Sequence, residues 1–238
     1  MRDGKIGRLA VCVCSGGIDS TVAATIASRE GYELHVLHVS YGQRAELRER
    51  EAVKKISAYL GAVELKFTTV EMIKELGGSA LTDYSRDVPA GEEVKLDRNE
   101  TPPTWVPCRN LVLLSLASAY AEAIGADSIF VGFNAEEAKS YPDNSKEFVE
   151  RYNAVLEKAV ASFSTPPEVR APLVDLLKPE IIKKGMEVGA PLKFTYSCYL
   201  GGEKHCGLCE SCQHRRRGFR EAGVEDPTEY EAFAQASL

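Results

Sequence analysis

No stretch of this chain approaches the roughly 20 apolar residues needed to cross a bilayer. The opening "MRDGKIGRLAVC" also lacks the apolar core and small-residue cleavage site of a secretory leader. Positive charge is scarce too: 29 Lys and Arg face 35 Asp and Glu, a net charge of -6. That balance argues against sequence-independent nucleic-acid binding, which depends on neutralising phosphates. Together these absences point to a cytoplasmic protein with no membrane partner and no direct nucleic-acid partner. Two phosphate-binding signatures are missing as well, since neither a Gly-Lys-Ser/Thr Walker ending nor a Gly-x-Gly-x-x-Gly fingerprint follows the first strand. At 238 residues, with 27% charged and 44% hydrophobic, the chain is long enough for one large α/β domain or a domain with a small appendage.

What is present begins at "LAVCVCSGGIDSTVAATIASREG". Leu9 to Cys14 is a continuous apolar run, suited to a strand buried on both faces of a parallel sheet. A helix follows, with Asp19 or Ser20 as its cap, Ala23, Ala24 and Ala27 in its body, and Gly31 as its stop. Between strand and helix, Ser15, Gly16, Gly17, Ser20 and Thr21 offer small hydroxyls and amides at a helix N-terminus, which is a cradle for phosphate.

Further along, "YELHVLHVSYGQR" reads as a second strand and "AELREREAVKKISAYLG" as an amphipathic helix closed by Gly61. "AVELKFTTV" reads as a third strand, "LVLLSLASAYAEAIG" as a helix opened by Arg109 and Asn110, and Ser128 to Val131 as a fourth strand. "VRAPLVDLLKPEIIKKGMEVG" gives a last strand and a helix with Lys178 at its start. This alternation predicts a parallel α/β sheet with right-handed crossovers. Its ligand belongs beyond the C-terminal strand ends, where Ser15–Ser20 and the loop Ser40–Arg44 meet.

From about residue 77 to 107 the pattern dissolves into a long polar loop, read either as an active-site lid or as a disordered surface insertion. Arg109 is a candidate clamp for carboxylate or phosphate, and Lys178 a candidate phosphate contact. The polar loop carrying Asn134, Glu136, Glu137, Tyr141 and Asp143 either orients substrate and magnesium or is simply solvated.

Four of the seven cysteines fall late, in "SCYLGGEKHCGLCESC", as C-x7-C-x2-C-x2-C. Cys198, Cys206, Cys209 and Cys212 form the soft tetrathiolate of a closed structural zinc site, with an iron–sulfur cluster as the competitor. His205 is a substitute ligand that four thiols make unnecessary. Cys12 and Cys14 read as small buried hydrophobes, and Cys108 stands alone beside Arg109. His214, Arg215, Arg216, Arg217 and Arg220 form a local basic patch. It serves nucleic acid, a solvated helix face, or support of a nucleotide pocket; the acidic total favours the latter two.

The Ser15–Thr21 string resembles the pyrophosphate loop of the PP-loop ATPases, which cleave ATP between its α and β phosphates. With "YGQRAE", "VPCRN", "YPD", "APLVDLLKPEI" and the cysteine tail, nearly the whole chain is similar to the nitrile-forming 7-cyano-7-deazaguanine synthase family of the queuosine and archaeosine pathways. The resemblance implies a Rossmann-like PP-loop ATPase sheet over residues 1–190, with the insertion at about 77–107, and a helical zinc-binding segment over 191–238. It implies a homodimer that takes 7-carboxy-7-deazaguanine, ATP with magnesium, and ammonia.

Cys14, Ser15, Gly16, Gly17, Ile18, Asp19, Ser20 and Thr21 would hold the nucleotide, and Asp19, Ser20, Arg109 and Lys178 would be catalytic. One structural zinc would sit on Cys198, Cys206, Cys209 and Cys212. Two departures stand out: Cys108 occupies a frequent glycine position, and the gap from Cys198 to Cys206 is one residue short. Cys108 brings in a second reading, a PP-loop tRNA thiolase with a catalytic cysteine pair. A third, from outside catalysis, is a zinc-ribbon adaptor binding nucleic acid.

Overall fold

The computed structural model describes residues 7–94, 101–162 and 165–231. Five parallel strands, β1 (Arg8–Val13), β2 (Tyr32–Ser40), β3 (Glu64–Thr69), β4 (Ser128–Phe130) and β5 (Glu168–Arg170), form one sheet in the order β3-β2-β1-β4-β5. The chain reverses its direction of progress between β1 and β4, the crevice where α/β sheets bind ligands.

Side chains of β1 alternate between two apolar layers, which explains its near-continuous apolar run. Leu9 and Val11 join Leu37, Ile129 and Val131 against α4 (Arg109–Ile124) and α5 (Lys146–Ala159) through Leu114, Ala117, Val149 and Leu156. Ala10 and Cys12 join Leu34 and Val36 against α1 (Ile18–Arg29) and α2 (Glu46–Leu60) through Ala24, Ala27 and Val53. Each large aliphatic side chain in these layers contributes about 1.5–3 kcal/mol through burial.

One helix start differs from expectation. Gly17, not Asp19 or Ser20, is the N-cap of α1. Both residues lie inside the first turn, because the Ser20 hydroxyl already accepts the Ser15 amide at 3.3 Å. Helix α5 follows the polar loop and is nucleated by Ser145, whose Oγ accepts the Phe148 amide at 3.2 Å. The stops at Gly31 (φ +82°) and Gly61 (φ +65°) are left-handed, as the sequence suggests.

After β3 the chain forms α3 (Glu71–Leu76) and crosses to the late cysteines. Ala90 bridges to Cys209, and the Gly91 amide donates to the Leu208 carbonyl at 2.9 Å. Residues 95–100 of the expected lid lie outside the described residues. The C-terminal part contains α6 (Lys178–Val188) and α7 (Glu210–Ala222). Phe219 of α7 packs with Ile181 and Ile182 of α6 and with Ile18 and Val22 of α1. Among the described residues no helix is long and apolar enough to cross a membrane.

Candidate active site and metal centre

Beyond the C-terminal ends of β1 and β2 lies a cavity of about 220 Å3. The loop after β1 forms its floor. Gly16 adopts φ +86°, and the first bond of the α1 ladder runs from the Thr21 amide to the Gly17 carbonyl at 3.2 Å. The amides of Ile18, Asp19 and Ser20 therefore precede the ladder and have no intrahelical acceptor, the condition for gripping an anion. Gly132, just past β4, lets α1 come close: a Cβ there would lie 2.5 Å from the Ser20 amide nitrogen and 2.6 Å from the Asp19 carbonyl carbon.

Of the residues expected to hold the nucleotide, Cys14, Ser15, Gly17, Ile18, Asp19 and Ser20 line the cavity. Gly16 and Thr21 shape it from behind. Gly16 packs beneath α2, and the Thr21 hydroxyl donates to the Gly17 carbonyl at 2.7 Å. Tyr41, Gln43 and Arg44 from the loop after β2 join the same wall.

Arg109 and Lys178 also reach this cavity. Arg109 donates to the Tyr41 hydroxyl at 3.3 Å. Lys178 is buried and donates to Asp19 Oδ2 at 2.6 Å, with Glu137 Oε1 at 3.9 Å. Burial opposes the Lys178 charge, yet the Asp19 and Glu137 carboxylates outweigh it and raise its pKa, so it stays a cation. Burial also pushes the Asp19 carboxyl up against the pull of Lys178. Its Oδ1 is buried without a hydrogen-bond partner, an orphaned oxygen suited to a hard cation.

His38 is held neutral by burial, its Nδ1 paired with the Cys14 carbonyl at 2.9 Å. Glu49, in the first turn of α2, was not anticipated. Its Oε2 accepts from Gln43 Nε2 at 2.8 Å, and burial pushes its pKa up to about 7. Tyr196, Ser197 and Arg215 line the cavity as well, and nothing in their sequence spacing signals it.

The polar loop is not a solvated excursion. Asn134 is fully buried and accepts the Glu136 and Glu137 amides at 3.1 and 2.9 Å. Asp143 receives the Asn110 amide at 3.1 Å, fixing the start of α4. Glu136 pairs with Arg217 and with His214 Nδ1, the latter at 2.7 Å. Arg215, 1% exposed, donates from Nε to Asp226 Oδ1 at 3.0 Å and from NH1 to Thr195 Oγ1 at 2.8 Å. The basic run thus braces the pocket wall; of its arginines only Arg220 is exposed.

Cys198, Cys206, Cys209 and Cys212 are buried, and their sulfurs lie within 4.8 Å of one another. A tetrahedral ion at about 2.3 Å from each thiolate needs sulfurs about 3.8 Å apart, and Cys206 and Cys212 stand at 3.9 Å. Backbone amides of Cys206, Leu208 and Cys209 donate to the Cys198 or Cys206 sulfurs at 3.2–3.4 Å. The four cysteines can hold a metal. His205 is no ligand, because its Nε2 accepts the Ser197 amide at 2.9 Å.

The family model described as queuosine biosynthesis protein QueC matches residues 9–223. The chain belongs to the QueC family. It is 62% identical to a 7-cyano-7-deazaguanine synthase of Methanothrix thermoacetophila, over 93% of this chain and 98% of the relative. It is 43% identical to one of Oceanobacillus iheyensis, over 94% and 99%. Among solved structures, a 4-thiouridine synthetase–RNA complex with bound ATP superposes with a TM-score of 0.51 at 19% identity, covering 98% of this chain and 50% of that one. That likeness shows the fold of this QueC family member: a Rossmann-like sheet of the PP-loop type.

Proposed function

We propose that this chain is an ATP-dependent carbon–nitrogen ligase that makes 7-cyano-7-deazaguanine from 7-carboxy-7-deazaguanine and ammonia. One observation carries the reading: a chain 62% identical to a synthase of that name places its phosphate-binding loop, Arg109 and Lys178 around a single cavity.

The chemistry follows from what a carboxylate lacks, a good leaving group. Its oxygen attacks the α-phosphorus of ATP and pyrophosphate departs; ammonia then adds to the acyl carbon and AMP leaves, giving the amide. The amide oxygen then attacks a second ATP, releasing pyrophosphate and one nitrogen proton, and loss of AMP with the remaining nitrogen proton leaves the nitrile. The protein chiefly positions reactants and stabilises phosphate charge. The free amides of Ile18, Asp19 and Ser20, with the Ser15 and Ser20 hydroxyls, hold the departing pyrophosphate. Lys178 and Arg109 balance its charge. Asp19 Oδ1 would hold magnesium, which would screen the phosphate charge. Val13, Val39 and Val131 supply apolar walls for a base.

Zinc is the metal assigned to the four cysteines, because a four-iron cluster gives each thiolate its own iron and spreads the sulfurs further than 4.8 Å. Zinc there shapes the segment 191–238 beside the nucleotide-binding part, 1–190, and Leu81 of the insertion at about 77–107 lines the site. The enzyme acts as a cytoplasmic homodimer. Incubation of pure protein with ATP, magnesium, ammonium and 7-carboxy-7-deazaguanine, followed by mass spectrometry, is expected to yield the nitrile and AMP. Absence of both amide and nitrile from a folded, metal-loaded protein would refute the assignment.

A further inference from the structure

The phosphate loop, Arg109 and Lys178 account for activation of a carboxylate but not for which molecule carries it. Glu49 has no part in that chemistry, yet it is a partly buried carboxylate on the cavity wall. The carbonyl of Glu49 would lie 3.0 Å from a Cβ on Gly16, so the first turn of α2 stands directly against the phosphate loop. The side chain is held from one side only: Gln43 Nε2 donates to Oε2 at 2.8 Å, while Gln43 Oε1 accepts the Tyr41 amide at 2.8 Å. Gln43 is thereby fixed at both ends and sets the orientation of the carboxylate. Among the described residues Oε1 has no hydrogen-bond partner. Arg109, on the same cavity wall, donates to the Tyr41 hydroxyl at 3.3 Å.

A half-buried carboxylate on the cavity wall, with one oxygen held by Gln43 and the other turned to no protein donor among the described residues, suits a ligand N–H donor. A guanine-type ring presents two such donors side by side, N1–H and the 2-amino group, on the pyrimidinone edge remote from the carboxyl-bearing five-membered ring. Glu49 and the loop Ser15–Ser20 line the same cavity. ATP offers no match, since the corresponding edge of adenine has an acceptor at N1 and no 2-amino group.

We propose that Glu49, oriented by Gln43, is the specificity-determining carboxylate that reads the N1–H and 2-amino edge of the 7-deazaguanine substrate. The inference rests on the ligase reading above. It also explains a carboxylate kept beside an anion-binding loop, a placement that opposes phosphate binding unless a ligand donor meets it.

The test pairs a residue change with a ligand change. Values of kcat/KM are measured for 7-carboxy-7-deazaguanine and for its 2-desamino analogue, with the wild type, Glu49→Gln and Glu49→Asp. A charge-assisted hydrogen bond corresponds to roughly 10- to 100-fold. The wild type is expected to prefer the parent substrate by that factor. Glu49→Gln, which places an amide where the donors need an acceptor, should lose a similar factor on the parent through KM and bring the preference close to unity, with the KM for ATP unchanged. Glu49→Asp keeps the charge and should retain part of the preference.

A uniform loss on both substrates, with the preference intact, would overturn the proposal and make Glu49 a structural residue. Failure of the wild type to turn over the parent substrate at all would instead remove the ligase reading, and the proposal with it.

Discussion

Cys108 is the residue whose backbone disagrees with its side chain. Among the described residues it alone combines a Cβ with positive φ (52°), at the N-cap of α4. Left-handed backbone costs a non-glycine residue about 1 kcal/mol, and the exposed thiol gains little from burial. Cys108→Gly is therefore expected to stabilise the protein by about 0.5–1 kcal/mol, net of the extra freedom of glycine in the unfolded chain. A denaturant titration reads this as a raised midpoint. The same variant should still form the nitrile. A chain that transferred sulfur through Cys108 would lose all turnover, so the experiment also separates the ligase from the thiolase reading. Cys12 and Cys14 offer such chemistry no help, for both are buried and burial raises both thiol pKa values, Cys14 to about 12.

At the scale of elements, the late cysteines and the crossing segment form one unit. Gln213 of α7 donates to the carbonyls of both Gly91 and Leu208, at 2.9 and 2.7 Å. Metal release should thus free more than the cysteine loop. Chelation, or Cys212→Ser, is expected to raise amide hydrogen exchange of residues 88–94 and 205–213 while β1 and β2 stay protected. Exchange spreading at once into β1 would show instead that the metal supports the whole core.

Elements were legible wherever one local pattern decided them. The apolar runs of β1, β2 and β4 and the glycine stops of α1 and α2 needed no tertiary information. Helix α5 escaped because its buried residues, Val149, Tyr152 and Leu156, are spaced among charged residues just after a turn-rich stretch. The strand–loop–helix that lines the cavity and the grouping of the four cysteines were readable from spacing. The burial of Lys178 was not, since its partner Asp19 lies 159 positions away. Glu49 was hidden for a different reason: an acid in the first turn of a helix ordinarily needs no explanation beyond the helix dipole. Arg215 resembles its neighbours in a basic run, and only the fold brings Asp226 against it.

For the whole molecule, the proposed nucleotide site depends on how closely helix and sheet approach at the switch point. Gly132 sets that distance. Gly132→Ala places a methyl group against backbone of α1 that cannot rotate away. The expected cost is about 1–3 kcal/mol of stability, with ATP affinity weakened at least roughly tenfold because the free amides are displaced. Thermal unfolding and nucleotide titration measure the two effects separately. Unchanged nucleotide affinity would mean that these amides do not hold the phosphates.

The Tyr196 amide donates to the Gly16 carbonyl at 2.9 Å, and Cys198 follows two residues later. One short stretch of backbone is therefore shared between the cysteine cluster and the phosphate loop. Thermodynamic reciprocity then applies to two ligands that never touch. Whatever a bound metal contributes to nucleotide affinity by ordering Tyr196, bound ATP returns to metal affinity, so protein saturated with ATP should require more chelator to lose half its metal at equilibrium than protein alone.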